Sequence, residues 1–255
     1  LITICDSYFV QNSAKYGGGL HIQACSAALI RWNKFLSNSA MFNGGALDLK
    51  SCTKVAIKQC HLVKNKVQGL GGGLHSHHTS KHVISESRFY ENWAISGGGI
   101  YIDHFDSNFI AFCFFEKNQA HNEGGCFFLK SVFQVQNSSI LINNAYFLNN
   151  IAKGKGTIIF TSYVEKVYLN FVKVFSPGNL FSGASLLHLH GTKIILNGIN
   201  LENLIKQATS VELNFDSLAS IKDVIFFCPS SSYLNELSFL QNVSRTRQVW
   251  YRCDI

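Results

Sequence analysis

Proline is almost missing from this chain, with two residues in 255. That scarcity excludes a Pro-rich linker and suits stacked strands, where each backbone N–H is needed for a ladder. Charge is sparse as well: Asp, Glu, Lys and Arg together make up 15% of residues. The formal net charge is +7, yet the basic residues stand one or two at a time. No clustered basic footprint of a nucleic-acid-binding protein is present, which leaves loose attraction to acidic glycans or anionic surfaces as a use for the excess. Eight cysteines occur without a Cys-x-x-Cys spacing, which argues against a zinc ribbon or a redox motif. No apolar run approaches the roughly 18 residues of a membrane-spanning helix; the longest, Phe109 to Phe115, has seven. Neither an initiator Met nor a signal peptide opens the chain, which begins at Leu1-Ile2-Thr3-Ile4-Cys5, already inside a repeat. A piece of a longer protein is therefore expected. Capped stretches of helical periodicity are also hard to find.

What the chain does have is a period. Phe9-Val10-Gln11-Asn12-Ser13-Ala14 leads to Gly18-Gly19-Leu20, and Phe35-Leu36-Ser37-Asn38-Ser39-Ala40 leads to Gly44-Gly45-Ala46-Leu47. The same phrase returns around Asn65, Asn92, Asn118 and Asn150, so the asparagines stand 26, 27, 27, 26 and 32 residues apart. A fixed period of this length marks a solenoid. Each unit offers three short alternating apolar segments, in the second unit Asn33 to Leu36, Ala46 to Leu49 and Lys54 to Ile57. Three strands per 26–27 residues describe one coil of a parallel β-helix, with equivalent residues of successive coils about 4.8 Å apart.

Roles follow from the alignment. Phe9, Phe35, Leu62, Phe89, Phe115 and Phe147 form an interior stack, followed by the small inward positions Ala14, Ala40, Val67, Ala94, Ala120 and Ala152. Asn12, Asn38, Asn65, Asn92, Asn118 and Asn150 form a ladder at the turn, where Asn tolerates left-handed geometry and its amide can bond the next coil. The glycines permit positive φ, and Leu20, Leu47, Leu74, Ile100, Phe127 and Ile158 then point inward. Beyond about residue 160 the repeat loosens, with later strands at Val167 to Phe175, Lys193 to Asn200, Val211 to Phe215 and Ile221 to Phe227. An all-β solenoid over 1–228 is expected, nine or so coils long, with 229–255 as a C-terminal cap or the start of a Cys-containing module.

The pairing of Phe-x-x-Asn with Gly-Gly-Ala-Leu resembles the repeats of polymorphic outer membrane proteins, strongly over 5–160 and weakly over 160–228. These are surface-exposed right-handed β-helix adhesins of the pectin-lyase-like superfamily. Cys228-Pro229-Ser230-Ser231-Ser232-Tyr233 with the later Cys253 looks like the passage into cysteine-rich repeats in large protist cell-surface proteins. The resemblance implies a right-handed parallel β-helix on a cell surface and implies no enzyme.

Residues between the inward positions are expected to face solvent. One outward column is His21, Asp48, His75, Tyr101 and Phe128; the next is Gln23, Lys50, His77, Asp103 and Lys130, with His78, His82 and His104 nearby. His21 and His75 would stand roughly 10 Å apart at the backbone, too far for a compact metal site. Asp48 and Asp103 would be about 12 Å apart, wider than the roughly 5–9.5 Å of glycoside-hydrolase carboxyl pairs. Neither a cofactor nor a metal is therefore expected. The Gly-Gly-Gly runs lead into strands rather than a helix, which makes them turns and not phosphate cradles. Cys25 with Cys52 share a phase at disulfide distance, and Cys228 with Cys253 is a second candidate bridge. Asn137 and Asn242 head N-glycosylation sequons. The expected role is structural or adhesive, with other protein chains, further copies or acidic glycans as partners at an extracellular or cell-surface location. The rival is a carbohydrate-binding or carbohydrate-cleaving module using the His/Asp/Tyr face.

Overall fold

The computed structural model describes residues 1–131, 138–175, 187–190, 192–202, 214–215, 219–228 and 243–253. Every helix or strand among these residues is a strand, and the strands pair in parallel with their equivalents one coil away. The fold is a parallel β-helix, as the period predicts.

The second coil shows the plan. Ala27–Arg31 and Lys34–Leu36 lie on a wide face, Ser39–Asn43 on a narrow face, and Leu47–Lys50 on a face led by glycine. The three sheets hold 17, 6 and 8 strands respectively. A coil thus has four strands, not three. The unexpected one follows the asparagine and shrinks to two residues in Lys66–Val67 and Trp93–Ala94, too short for alternation to reveal. Six turns carry strands on all three faces among the described residues, against the nine or so coils expected. Further along, Lys193–Glu202, Ala219–Cys228 and Val243–Cys253 extend the wide face in parallel, the last within the stretch assigned to a cap or a new module.

Corners are made by single residues in the left-handed region. Gln11, Ser37, Lys64, Glu91, Lys117 and Asn149 all have φ between 49° and 58°. Each immediately precedes a ladder asparagine, so the neighbour turns the chain and not the Asn. Freed of that task, the Asn side chain reaches along the axis and is buried from Asn38 to Asn150. Asn92 Oδ1 accepts from Asn65 N and Nδ2, both at 3.0 Å, while Asn92 Nδ2 donates to Asn118 Oδ1 at 2.9 Å and to Leu62 O at 2.8 Å. All four bonding positions of that amide are filled.

Two other corners follow the same rule. Asp6, Trp32, Gln59, Glu86 and Phe112 precede Ser7, Asn33, Cys60, Ser87 and Cys113; Ala24, Ser51, His78 and His104 precede Cys25, Cys52, Thr79 and Phe105. Cysteine substitutes here for a small hydrogen-bonding residue: Cys60 Sγ donates to Lys58 O at 3.3 Å, as Ser87 Oγ donates to Ser85 O at 2.8 Å.

Inside, the phenylalanine stack is as read. Phe35, Phe89, Phe115 and Phe147 are fully buried, with adjacent rings such as Phe89 and Phe115 stacked at 5.0 Å. Each is worth about 1.5–3 kcal/mol in transfer terms. One inward assignment shifts by a residue: Phe127 pairs with Ile159, not with Ile158, because the longer fifth repeat displaces the alignment.

Candidate functional site

The expected ligand face is in register: His21 pairs with Asp48, Asp48 with His75, and His75 with Tyr101, while Lys50, His77 and Asp103 make the adjoining column. Its exposure differs from expectation. Asp48 is 3% exposed, His75 5% and Tyr101 7%; His21 and Lys50 remain open to solvent. The cause is the glycine hinge. Gly44 and Gly97 turn so tightly that a Cβ on either would lie 2.8 Å from the Cβ of Asp48 or Tyr101. The column therefore sits in a re-entrant corner, walled by Tyr16, Asn43 and Leu70, around an open groove of about 430 Å³.

Within that corner Asp48 bridges two imidazoles, Oδ2 to His21 Nδ1 at 2.7 Å and Oδ1 to His75 Nδ1 at 2.5 Å. Beyond His75 the column becomes a ring stack through Tyr101, Phe128, Phe160 and His188, with neighbouring centroids 4.7–5.5 Å apart. Burial, with the charges of Asp103 and Glu123 behind it, pushes the Tyr101 hydroxyl up to about 12.

A second cluster stands at the corner that closes this face. His77 Nδ1 is 2.7 Å from Asp103 Oδ1, and His104 Nδ1 is 3.5 Å from Asp103 Oδ2 without a hydrogen bond. His78 and His104 occupy the left-handed corner position of successive coils, with φ of 52° and 53°. Their rings approach to 4.2 Å, and His77 lies 4.1 Å from His78. The three histidines can each offer a ring nitrogen within 4.8 Å of the others. Partial burial and the neighbouring imidazoles of His77 and His104 hold His78 below its ordinary pKa. The sequence reading placed these residues near one another but did not join them, because His77 and His104 lie 27 positions apart and on different columns.

His82 is not an outward neighbour at all. It points into the core, with Ser76 Oγ 2.8 Å from its Nε2 and Asn108 Oδ1 2.6 Å from its Nδ1. Asn108 Oδ1 accepts from Nδ1–H, so Nε2 accepts from the hydroxyl. This is the order of a nucleophile relay, but all three residues are buried, and burial lowers the His82 pKa to about 4. It serves the interior.

Cys25 and Cys52 are neighbouring buried thiols, both free. Burial, then the adjacent Cys52, pushes the Cys25 thiol up to about 12; burial does the same to Cys113. Cys228 and Cys253 are register partners of adjacent parallel strands. Asn137 and Asn242 lie outside the described residues.

The surface feature that repeat reading missed is aromatic. On the wide face Phe114 and Tyr146 are register partners with rings stacked at 4.8 Å. Phe112 and Phe171, 57% and 59% exposed, flank them from the corner, and Phe109 lies on the neighbouring strand. Its signal was the run Phe109 to Phe115, whose apolar residues fall on both sides of a strand. Basic side chains edge this face: Arg88 covers the Tyr90 ring at 4.7 Å, and Lys173 lies 5.6 Å from that of Tyr146.

No family model, no curated protein and no solved structure matches the chain.

Proposed function

We propose that this chain is a non-enzymatic structural and adhesive β-helix segment of a larger extracellular surface protein, acting through protein–protein assembly or surface attachment. The observation that carries this reading is the set of exposed aromatics Phe109, Phe112, Phe114, Tyr146 and Phe171 on the wide parallel sheet and the left-handed corner that bends it. Exposed apolar groups gathered on one face mark interaction sites, and aromatic rings are enriched among the anchors of protein interfaces. Lys173 at the edge of this set, with a net charge of +7 over the chain, suits a partner that is acidic at its rim.

The carboxylates support the same reading. Asp48 has both oxygens engaged by imidazoles and little access to solvent, and Asp103 is paired with His77. Neither stands ready as an acid or base toward a glycan. The likeness of the repeats to those of polymorphic outer membrane proteins, within the pectin-lyase-like superfamily, adds a cell-surface context.

The test is a variant carrying Phe112→Ser, Phe114→Ser and Phe171→Ser. Its far-UV circular dichroism should match wild type, while self-association by sedimentation and attachment to cell surfaces should fall at least tenfold. Unchanged association would remove these aromatics from the mechanism. Turnover of an acidic polysaccharide that disappears in Asp48→Asn would replace the adhesive reading with an enzymatic one, and glycan binding lost in His75→Ala would replace it with a lectin-like one.

A further inference from the structure

We infer that His77, His78 and His104 form a binding site for a divalent transition metal, zinc foremost, with Asp103 as the carboxylate that orients His77. The inference is independent of the adhesive reading.

Geometry comes first. The three ring nitrogens lie within 4.8 Å of one another. Tetrahedral zinc with nitrogen ligands at about 2.0–2.1 Å sets its ligand atoms about 3.4 Å apart. Binding requires the side chains to rotate by the difference, on backbone positions that strand pairing holds in place. His77 is in the strand His77↔Asp103 register, and the left-handed corners at His78 and His104 aim two side chains off one edge, a coil spacing apart. Elsewhere in that corner column the described residues are Ala24, Ser51, Ser131 and Tyr163, so the paired histidines belong to these two coils.

Chemistry comes second. A ligating histidine characteristically donates its other ring N–H to a carboxylate, which fixes the tautomer and raises ligand basicity. His77 Nδ1 already faces Asp103 Oδ1 at 2.7 Å, and the tautomer that donates Nδ1–H to this carboxylate presents Nε2 as the metal-ligating nitrogen. His104 Nδ1 is buried, makes no hydrogen bond and stands 3.5 Å from the second oxygen of the same carboxylate. Three imidazoles suit zinc, copper(II), nickel or cobalt and disfavour calcium and magnesium, which require oxygen. With three protein ligands, the fourth position of a tetrahedral ion lies on the solvent side, open to water or to a donor group of another molecule.

Titration of the whole chain with Zn²⁺ against a chromophoric chelator tests this. Wild type is expected to bind one ion saturably at micromolar concentration. His78→Ala with His104→Ala should weaken binding at least a hundredfold, and this variant should fold, because Ala24 already occupies the same left-handed corner. Asp103→Asn should weaken binding by about 10–100-fold while keeping three nitrogen ligands by X-ray absorption. Absence of saturable binding in wild type overturns the site, as does binding retained by the folded double variant. Undiminished affinity in Asp103→Asn would overturn the orienting role of the carboxylate.

Discussion

Asn92 holds two coils together through one planar group. Removing its amide in Asn92→Ala takes away four hydrogen bonds and leaves Asn65 N, Asn65 Nδ2 and Leu62 O without these partners in a sealed corner. Each buried orphan costs about 1–3 kcal/mol, so a loss of more than about 3 kcal/mol is expected. Asn12→Ala, at the exposed end of the row, should cost under about 1 kcal/mol. Urea midpoints for the pair measure the difference, and equal midpoints would contradict the ladder's role. His82 supplies a second case. Its ordinary pKa is 6.5 and its folded value about 4, so below pH 6.5 the unfolded chain takes up a proton that the folded chain refuses. Stability is complete above about 6.5 and declines toward pH 4, by on the order of 3 kcal/mol from this group. In His82→Val, which copies its column neighbour Val55, the thermal midpoint should fall less steeply over that window. At this scale the asparagine row was legible because a period makes each copy vouch for the others. The left-handed residues were not legible: Gln11, Ser37, Lys64, Glu91 and Lys117 have no shared chemistry, since the neighbouring coils impose their conformation.

The glycine hinge sets the shape of each coil. Gly97 has φ of 68° and faces the Cβ of Tyr101. An alanine there meets both an unfavourable backbone region and a steric overlap, so Gly97→Ala should lower stability by about 2 kcal/mol or more. Gly99→Ala should be milder, because Ala46 and Cys126 fill the equivalent position in other coils. Comparing thermal unfolding of the two variants checks the assignment; similar losses would mean that the turn itself is not the constraint. The alternation of Leu47, Asp48, Leu49 and Lys50 was enough to identify a strand and its inward side. It was silent on the other side, where Asp48 and Tyr101 are covered by the fold of the hinge. Period two tells faces apart and cannot tell a flat face from a corner.

Across the whole molecule, regularity and activity separate. The columns that repeat are the ones that close the solenoid, and the exposed aromatics and the histidine corner occur where a column departs from its neighbours. The loss of association expected for the Phe112, Phe114 and Phe171 variant belongs to this scale, because its residues come from two coils with a third between them. The asparagine row has a further property. From Asn12 to Asn118, each Nδ2 donates to the Oδ1 of the coil that follows, ending at Asn150, so the amide dipoles add in one sense and the row has a direction, like an arrow along the axis. Aligned dipoles polarise one another. Reversing one coil would set oxygen against oxygen.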